Sequence, residues 1–209
     1  MHYLTDKIRF PDVNEASEDG LLAVGGDLSV QRLILAYKSG IFPWFDTEEP
    51  ILWWSPNPRF VIFPDKLKVS KSMKQVLRNI DYTITNNKDF KSVITQCSRV
   101  KRQGQESTWI TKSMVEAYVK LNELGYAKSV EVWKEDILVG GLYGIDLGNA
   151  VFCGESMFSK ESNASKVAFT TFIQNSNFKL IDCQVYTNHL ESLGAEEISR
   201  DEFLEILKD

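Results

Sequence analysis

The sequence predicts an α/β fold with a mixed sheet, preceded by a small N-terminal domain, for this chain of 209 residues. After residue 58, patterns typical of helices alternate with short apolar patterns typical of strands. Before residue 58, glycines and prolines interrupt regular structure repeatedly, and Pro50, Pro56 and Pro58 indicate a boundary. We therefore expect one domain over residues 1–58 and a larger one over residues 59–209.

The predicted helices have recognisable end signals. Ser29 is a suitable N-cap for a helix that runs to about Ser39. Thr111 starts a helix that Gly125 ends, and Ser199 to Glu202 form a capping box for the final helix. Further helices are predicted at 70–78, 90–99 and 163–175.

The predicted strands lie between these helices. Two of them, 137–145 and 150–158, form a hairpin around the turn at 146–149. Others are predicted at 59–63, 82–85, 129–133 and 180–186. A helix connects the strand at 150–158 to the strand at 180–186, and such a crossover predicts that the two strands pair in parallel.

The composition is that of a globular protein. Hydrophobic residues make up 43% of the chain, and no apolar run approaches the roughly 20 residues that cross a bilayer. No signal peptide is apparent at the N-terminus. The three cysteines lack metal-type spacing, and two histidines are too few for a His-rich metal centre. We expect a cytoplasmic monomer with no metal, no cofactor and no membrane partner.

Three polar side chains interrupt the two strands that are predicted to pair in parallel. Glu155 lies in FCGESMFS, and Asp182 and Gln184 lie in LIDCQ. Strand alternation puts Asp182 and Gln184 on one face, with Ile181 and Cys183 on the other. A buried carboxylate is costly unless it is paired, hydrogen-bonded or protonated. These residues therefore indicate either a functional site or a satisfied network of buried hydrogen bonds.

Other motifs are less specific. GESMF, residues 154–158, is close to a nucleophile elbow but ends in Phe instead of Gly. Cys183 with His189 would suggest a thiol nucleophile, although a cysteine on an apolar strand face is more often a small buried residue. The glycines at 140–144 lack phosphate-loop spacing and indicate either a bulge or close approach by a ligand.

Charge and aromatic residues suggest binding surfaces. The net charge is −5, yet residues 59–102 contain 11 Lys or Arg, including Arg59, and 3 Asp or Glu. Such a stretch either follows a phosphate backbone or is a solvated surface without a partner. Trp44 and Trp109 lie in loop-like segments, where they either pack in the core or offer a flat platform to a base.

Ten segments, in order along nearly the whole chain, are similar to the leucyl/phenylalanyl-tRNA–protein transferase family. They are GLLAVGGDLS (20–29), AYKSGIFPW (36–44), LWWSPNPR (52–59), STWIT (107–111), SVEVW (129–133), LVGGLYG (138–144), FCGESMFS (152–159), NASK (163–166), LIDCQ (180–184) and SLGA (192–195). The joint occurrence of GIFPW, LWWSP, GESMFS and LIDCQ is far more specific than any single short motif.

This resemblance implies transfer of Leu or Phe, and less readily Met, from aminoacyl-tRNA to an N-terminal Arg or Lys of a protein, which marks that protein for degradation. It implies an acetyltransferase-like (GNAT) second domain and catalytic roles for Asp182, Gln184 and Glu155. The tRNA 3′ end and its amino acid would bind at Trp44, Trp109, Leu142, Phe152, Gly154, Met157, Phe172 and Ile181. The tRNA backbone would contact Lys71, Lys74, Arg99, Lys101 and Arg102.

The implied reaction is aminolysis of an ester, in which the nucleophile is the amine of the acceptor, so no Ser, Cys or His nucleophile is needed. We expect Asp182 to orient and polarise Gln184, Gln184 to engage the amine, and Glu155 to attract the cationic N-terminal residue. One alternative is a small-molecule N-acyltransferase that uses acyl-CoA, although the chain lacks its phosphate-binding turn. Another is a non-catalytic binder of basic N-terminal peptides, which leaves the basic stretch unexplained.

Overall fold

A computed structural model of the protein describes residues 1–46, 49–79, 81–100 and 109–208. The residues before 58 form a small sheet of four strands. These are β1 (His2–Leu4), β2 (Leu21–Gly25), β3 (Phe42–Pro43) and β4 (Leu52–Trp54), in the order β1-β2-β4-β3. The prediction of loops here was wrong, because the strands are too short, and too interrupted by Gly and Pro, to produce a periodic pattern.

The rest of the chain forms a second sheet of seven strands. These are β5 (Arg59–Ile62), β6 (Thr83–Asn86), β7 (Ala127–Lys134), β8 (Ile137–Asp146), β9 (Val151–Ser159), β10 (Leu180–Gln184) and β11 (Glu196–Ile198). Their order is β11-β5-β10-β9-β8-β7-β6. Strands β9 and β10 run parallel, and the other neighbouring pairs run antiparallel. The predicted α/β class with a mixed sheet is therefore confirmed.

Helices cover both faces of the seven-stranded sheet. They are α1 (Val30–Lys38), α2 (Lys71–Asn79), α3 (Phe90–Cys97), α4 (Lys112–Glu123), α5 (Ala164–Gln174), α6 (Asn188–Ser192) and α7 (Arg200–Lys208). Helix α5 packs on one face of β7, β8 and β9, and α3 packs on the other face together with α4. The core on the α3 face continues into the small sheet through Leu22 and Trp53. The domain division at residue 58 therefore separates two sheets that share a core, and it stays a prediction.

The predicted end signals account for the helix boundaries. Ser29 is the N-cap residue of α1, and the Thr111 hydroxyl accepts a hydrogen bond from the Met114 amide at 3.2 Å at the start of α4. The Ser199 hydroxyl accepts one from the Glu202 amide at 3.1 Å before α7. The sequence missed α6 and β11, which have only five and three residues.

The glycines of β8 allow neighbouring elements to approach closely. A Cβ atom on Gly140 would lie 2.6 Å from the Ala164 Cβ on α5, and one on Gly141 would lie 2.7 Å from the Val130 carbonyl oxygen. The register between β8 and β9 also shifts at Tyr143 and Gly144. The glycines at 140–144 thus serve close packing and a bulge, the first of the two interpretations that the sequence allowed.

Candidate active site

An open cavity of about 360 Å³ lies where the parallel pairing of β9 and β10 ends. The pairing extends only to Cys153 and Asp182, and both strands line the cavity beyond that point. Its lining is mostly apolar, with a small group of polar side chains from β9 and β10. A largely apolar cleft with a few convergent polar groups is typical of a ligand-binding site.

Seven of the eight residues expected to bind the aminoacylated tRNA end line this cavity. They are Trp44, Trp109, Leu142, Phe152, Gly154, Met157 and Ile181. The eighth, Phe172, is not among the described lining residues. Its ring packs 4.6 Å from the Phe152 ring, so it supports the cavity wall from behind. The three residues expected to be catalytic, Glu155, Asp182 and Gln184, also line the cavity.

Trp44 lies at the mouth of the cavity with 37% of its surface exposed. Its ring centroid is 5.9 Å from that of Trp54, and the Trp54 indole N–H donates to the Trp44 carbonyl at 2.7 Å. Trp54 therefore contacts both the ring and the backbone carbonyl of Trp44, and these contacts fix the position of Trp44. A fixed, partly exposed indole is suited to stacking on a flat ligand group.

Asp182 is fully buried and forms a bidentate ion pair with Arg59 on the neighbouring strand β5. The Arg59 Nε and Nη2 atoms donate to its two carboxylate oxygens at 2.8 and 2.7 Å. Arg59 also donates to the Gly40 carbonyl at 3.1 Å and lies between the rings of Phe42 and Phe203. The assignment of Arg59 to an exposed basic stretch was therefore wrong. This cation neutralises the buried carboxylate.

Gln184 follows a β-bulge, in which Cys183 is the extra residue on β10. Its φ of 66° lies in the left-handed region, which costs energy for a residue with a side chain. The Gln184 amide N–H donates to Asp182 Oδ1 at 2.9 Å, and its side-chain Nε2 donates to Glu155 Oε1 at 2.7 Å. Asp182 thus contacts the backbone of Gln184, whereas we expected it to polarise the side chain.

The bulge also changes which faces the side chains occupy. Regular alternation predicted that Cys183 would face away from Asp182 and Gln184, but all three line the cavity. The strand ends at Gln184, two residues before the predicted end. Bulges are common beside active sites because they redirect side chains, and no periodic pattern in the sequence indicates them.

Glu155 is the extra residue of a second bulge, on β9, and is only 8% exposed. Its Oε2 accepts a hydrogen bond from the Tyr118 hydroxyl at 3.1 Å, and the Tyr118 hydroxyl is also hydrogen-bonded to that of Tyr37. Burial raises the pKa of Glu155 from 4.5 to about 7, although hydrogen bonds from Tyr37, Tyr118 and Gln184 oppose the rise. Glu155 therefore titrates near neutral pH.

The thiols of the site are not activated. Burial raises the pKa of Cys183 well above its usual range, and the pKa of Cys153 is raised in the same way. Burial also lowers the pKa of His189, which lines the cavity, with Lys166 contributing. A cysteine with so high a pKa is a poor nucleophile, which favours the alternative of a small packing residue, and Cys183 is half-buried. Among the described residues, no cluster of His, Cys, Asp or Glu could hold a metal ion.

The cations expected to contact tRNA are partly described. Lys71, Lys74 and Arg99 are exposed. Lys101 and Arg102 lie outside the described residues. Within the part of the chain that the structure describes, no helix is long and apolar enough to cross a membrane.

Sequence reasoning missed three residues that shape the site. Arg59, Tyr37 and Tyr118 are all at most 2% exposed, and each is far from Glu155 and Asp182 along the chain. The SPNPR segment carries no signal that its arginine would be buried. Tyr118 did fit the apolar helix pattern, but its hydroxyl contact depends on tertiary structure.

Comparison with known proteins agrees with this geometry. A family model described as leucyl/phenylalanyl-tRNA protein transferase matches residues 61–208, and a model of that family's N-terminal domain matches residues 26–57. Relatives with that name from Flavobacterium johnsoniae and Flavobacterium psychrophilum are 59% and 57% identical over 211 residues. The alignments cover 100% of this chain and 99% and 100% of the relatives.

A solved GCN5-related N-acetyltransferase from Kribbella flavida is 10% identical, with a TM-score of 0.39 over 78% of this chain and 58% of that chain. That likeness is too weak to support an argument about this protein. The family models and the relatives, in contrast, cover nearly the whole chain. The chain is an aminoacyltransferase and belongs to the leucyl/phenylalanyl-tRNA protein transferase family.

Proposed function

We propose that the protein transfers Leu or Phe, and less readily Met, from aminoacyl-tRNA to an N-terminal Arg or Lys of acceptor proteins. The product carries a new peptide bond and a degradation signal, and the reaction takes place in the cytoplasm. The observation that carries the proposal is the cavity, because an apolar chamber and a polar cluster meet where the parallel pairing of β9 and β10 ends.

The apolar part of the cavity suits the side chain of the transferred amino acid. Leu142, Phe152, Met157 and Ile181 offer aliphatic and aromatic surface without charge. Burial of a Leu or Phe side chain contributes about 1.5–3 kcal/mol, which favours these amino acids over polar ones. Leu142 is one of these residues, and its size would adjust the preference among Leu, Phe and Met.

The tryptophans and the basic surface suit the tRNA. Trp44 and Trp109 lie at the cavity and would stack on the terminal adenosine. The exposed Lys71, Lys74 and Arg99 would contact phosphates of the acceptor stem, and we extend this role to Lys101 and Arg102. Such contacts position the substrate without reading its sequence.

The polar cluster suits aminolysis of the ester. Gln184 is fixed by its Nε2 bond to Glu155, and we assign its side chain to contact with the attacking amine. Asp182, held by Arg59, fixes the backbone of Gln184. The Glu155 carboxylate lines the cavity and would attract the cationic N-terminal residue of the acceptor. Holding the amine and ester in line lowers the barrier without a covalent enzyme intermediate.

A transfer assay tests the proposal. The protein is incubated with radiolabelled Leu-tRNA or Phe-tRNA and a peptide that begins with Arg, and label in the peptide is measured. We expect incorporation into this peptide and into one beginning with Lys. We expect none into the same peptide with an acetylated N-terminus, which lacks the nucleophile.

Two further arms separate the alternatives. Acetyl-CoA in place of aminoacyl-tRNA should give no acylated peptide, whereas acylation would indicate a small-molecule N-acyltransferase. Binding of the Arg-initiated peptide without incorporation of label would indicate a non-catalytic binder. Equal incorporation into a peptide beginning with Asp would contradict the proposed selection of basic residues.

A further inference from the structure

We propose that Glu155 accepts the proton that the attacking α-amine loses, and that Tyr118 is the positioning residue that holds the Glu155 carboxylate. The inference deepens the proposed function and rests on it. It assigns the proton to a group that was expected only to attract the cationic acceptor residue.

The partners of Glu155 leave its carboxylate able to take a proton. Its oxygens accept hydrogen bonds from Gln184 Nε2 at 2.7 Å and from the Tyr118 hydroxyl at 3.1 Å, with the Tyr37 hydroxyl as a further partner, and all three donors are neutral. Each carboxylate oxygen has a second lone pair. Because Glu155 lines the cavity, a bound amine can reach it.

Asp182 is unsuited to this role, although it lies in the same wall. Its two oxygens already accept three hydrogen bonds, two from Arg59 and one from the Gln184 backbone. The bidentate Arg59 guanidinium occupies both carboxylate oxygens of Asp182, so neither is free to receive the amine. Asp182 therefore positions Gln184, and the proton passes to Glu155.

The environment of Glu155 brings its pKa close to that of the α-amine of the acceptor. The titratable and charged groups around it are Tyr37 on α1, Tyr118 on α4, Tyr143 on β8, Cys153 on β9, Asp182 on β10 and, bound to Asp182, Arg59 on β5. Burial raises the pKa of Glu155 to about 7, close to the ~8 of a terminal amine. Proton transfer between groups of similar pKa is efficient.

Tyr118 and Tyr37 act as hydrogen-bond donors and not as bases. Burial raises the pKa of both phenols well above their usual value, with the nearby Glu155 charge as the next cause, so they stay protonated. Their hydroxyls are hydrogen-bonded to each other, and that of Tyr118 reaches Glu155. The pair thereby stabilises the ionised form of a carboxyl group that burial would otherwise neutralise.

The acceptor ammonium loses two protons during the transfer. The acceptor enters as an ammonium and gives one proton to the Glu155 carboxylate. The neutral amine attacks the ester carbonyl, the C–N bond forms, and the bond from the carbonyl carbon to the ribose oxygen breaks. The second amine proton goes to the departing ribose oxygen, which leaves as a hydroxyl. Glu155 then releases its proton to solvent.

The first test is the pH dependence of single-turnover transfer of Phe to an Arg-initiated peptide, with Phe-tRNA binding measured separately. We expect the wild-type rate to rise with pH through about 7, because Glu155 must be ionised. Glu155→Gln should reduce the rate by about 10²–10⁴-fold and leave Phe-tRNA binding within about twofold. Its rate should rise only through about 8, where the acceptor amine itself loses its proton. A midpoint that stays near 7 in Glu155→Gln overturns the proposal.

The second test is Tyr118→Phe, which removes one donor from the ionised carboxylate and keeps the ring. We expect the midpoint of the rise to move upward by roughly half a pH unit to one unit. The matched control is Tyr82→Phe, which removes the hydroxyl bond to Glu161 at 2.8 Å, outside the cavity, and should leave the midpoint unchanged. An unmoved midpoint in Tyr118→Phe overturns the positioning role, even if Glu155→Gln fails to fold.

His189 is the competing titratable group at the cavity. His189→Asn should keep the rise near pH 7, and loss of the rise in this variant overturns the assignment to Glu155. The two proposals fail differently. A wild-type protein that transfers neither Leu nor Phe contradicts the proposed function, whereas normal transfer with an unchanged profile in Glu155→Gln contradicts only this inference.

Discussion

Asp182 and Glu155 are buried carboxyl groups on neighbouring parallel strands, yet their partners differ in charge. Asp182 binds the Arg59 guanidinium through both oxygens, and its charge is neutralised within the protein. Glu155 receives hydrogen bonds only from neutral donors, Gln184 and Tyr118 among them, and its pKa rises to about 7. A cation balances the charge of Asp182, whereas Glu155 has only neutral partners and titrates near pH 7.

Asp182 therefore has a structural role in the cavity wall, whereas Glu155 in the same wall is available for chemistry. Arg59 reaches from β5 to β10, donates to the end of α1 at Gly40 and packs against Phe203 of α7. The ion pair therefore joins the small sheet, the large sheet and the last helix at the cavity. Glu155, in contrast, occupies a bulge that no regular pairing constrains.

We expect the largest effect when one partner of the ion pair between Arg59 and Asp182 is removed. Asp182→Asn leaves the Arg59 cation buried without a counter-charge, and we expect the free energy of unfolding to fall by about 3–5 kcal/mol. Combining Arg59→Met with Asp182→Leu should recover much of this stability, because apolar residues need no counter-charge. The double variant should not transfer amino acids, because it loses the oxygen that accepts the hydrogen bond from the Gln184 amide, whereas Asp182→Asn keeps such an oxygen and should retain more transfer. Urea denaturation and the transfer assay measure the two effects.

The control for this prediction is the ion pair of Lys120 and Glu123, whose side chains are 59% and 57% exposed. Glu123→Gln should cost less than about 1 kcal/mol, because solvent screens the pair. If Asp182→Asn is equally mild, Arg59 has another way to compensate its charge, and the contrast between the two carboxyl groups fails.

Glu155 should show the opposite behaviour, a stability that depends on pH. Its folded-state pKa is raised from 4.5 to about 7, so the folded protein binds the proton more tightly than the unfolded chain. The contribution of Glu155 to the free energy of unfolding, measured as the difference between wild type and Glu155→Gln, should therefore decrease by roughly 3 kcal/mol as the pH rises from 4.5 through 7. Urea denaturation at pH 5 and pH 8 tests the prediction.

Glu161→Gln is the control for the pH experiment. The Tyr82 hydrogen bond, followed by that of Lys134, lowers the pKa of Glu161, so this group is ionised in folded and unfolded chains at both pH 5 and pH 8. Its replacement should leave the pH dependence of stability unchanged. An equal change in stability between pH 5 and pH 8 in the wild type and in Glu155→Gln would contradict the raised pKa of Glu155.

The sequence predicted the contacts of Glu155 better than those of Asp182. A helix between two strand patterns implied parallel pairing, and this pairing brings Glu155 to within 2.7 Å of Gln184. The ion pair of Asp182 was not predictable, because Arg59 is 123 residues away and a single arginine beside prolines looks exposed. Burial of a charge depends on its partner, which only the folded chain reveals.

The two bulges and the small sheet escaped prediction for a related reason. Glu155 and Cys183 are each the extra residue of a bulge, and alternation assigns such residues to the wrong face. The four short strands before residue 58 owe their form to pairing and to core residues such as Trp53. Helix positions were more accurate, because caps such as Thr111 act within one turn.

The basic stretch, residues 59–102, contains a buried cation with a structural role and exposed cations that we expect to bind tRNA. Arg59 is buried in an ion pair, whereas Lys71, Lys74 and Arg99 are exposed. Changing these three together to Gln should reduce the slope of log K for tRNA binding against log salt by about 2 to 3, because fewer counterions are released. The free energy of unfolding should change by less than about 0.5 kcal/mol per residue. Lys112→Gln, which removes an exposed lysine from another segment, is the control. An unchanged slope would exclude this surface from tRNA binding.

The smallest effect is expected at Cys183, which lies between Asp182 and Gln184 and lines the cavity. Its thiol has a strongly raised pKa and stays protonated, so the polar cluster should work without it. Cys183→Ala should retain transfer within about twofold and lose about 1 kcal/mol of stability for the removed sulfur. Loss of transfer with normal stability and normal tRNA binding would show that the thiol takes part. Retained transfer would show that the bulge contributes only through its geometry, by setting Gln184 against Glu155.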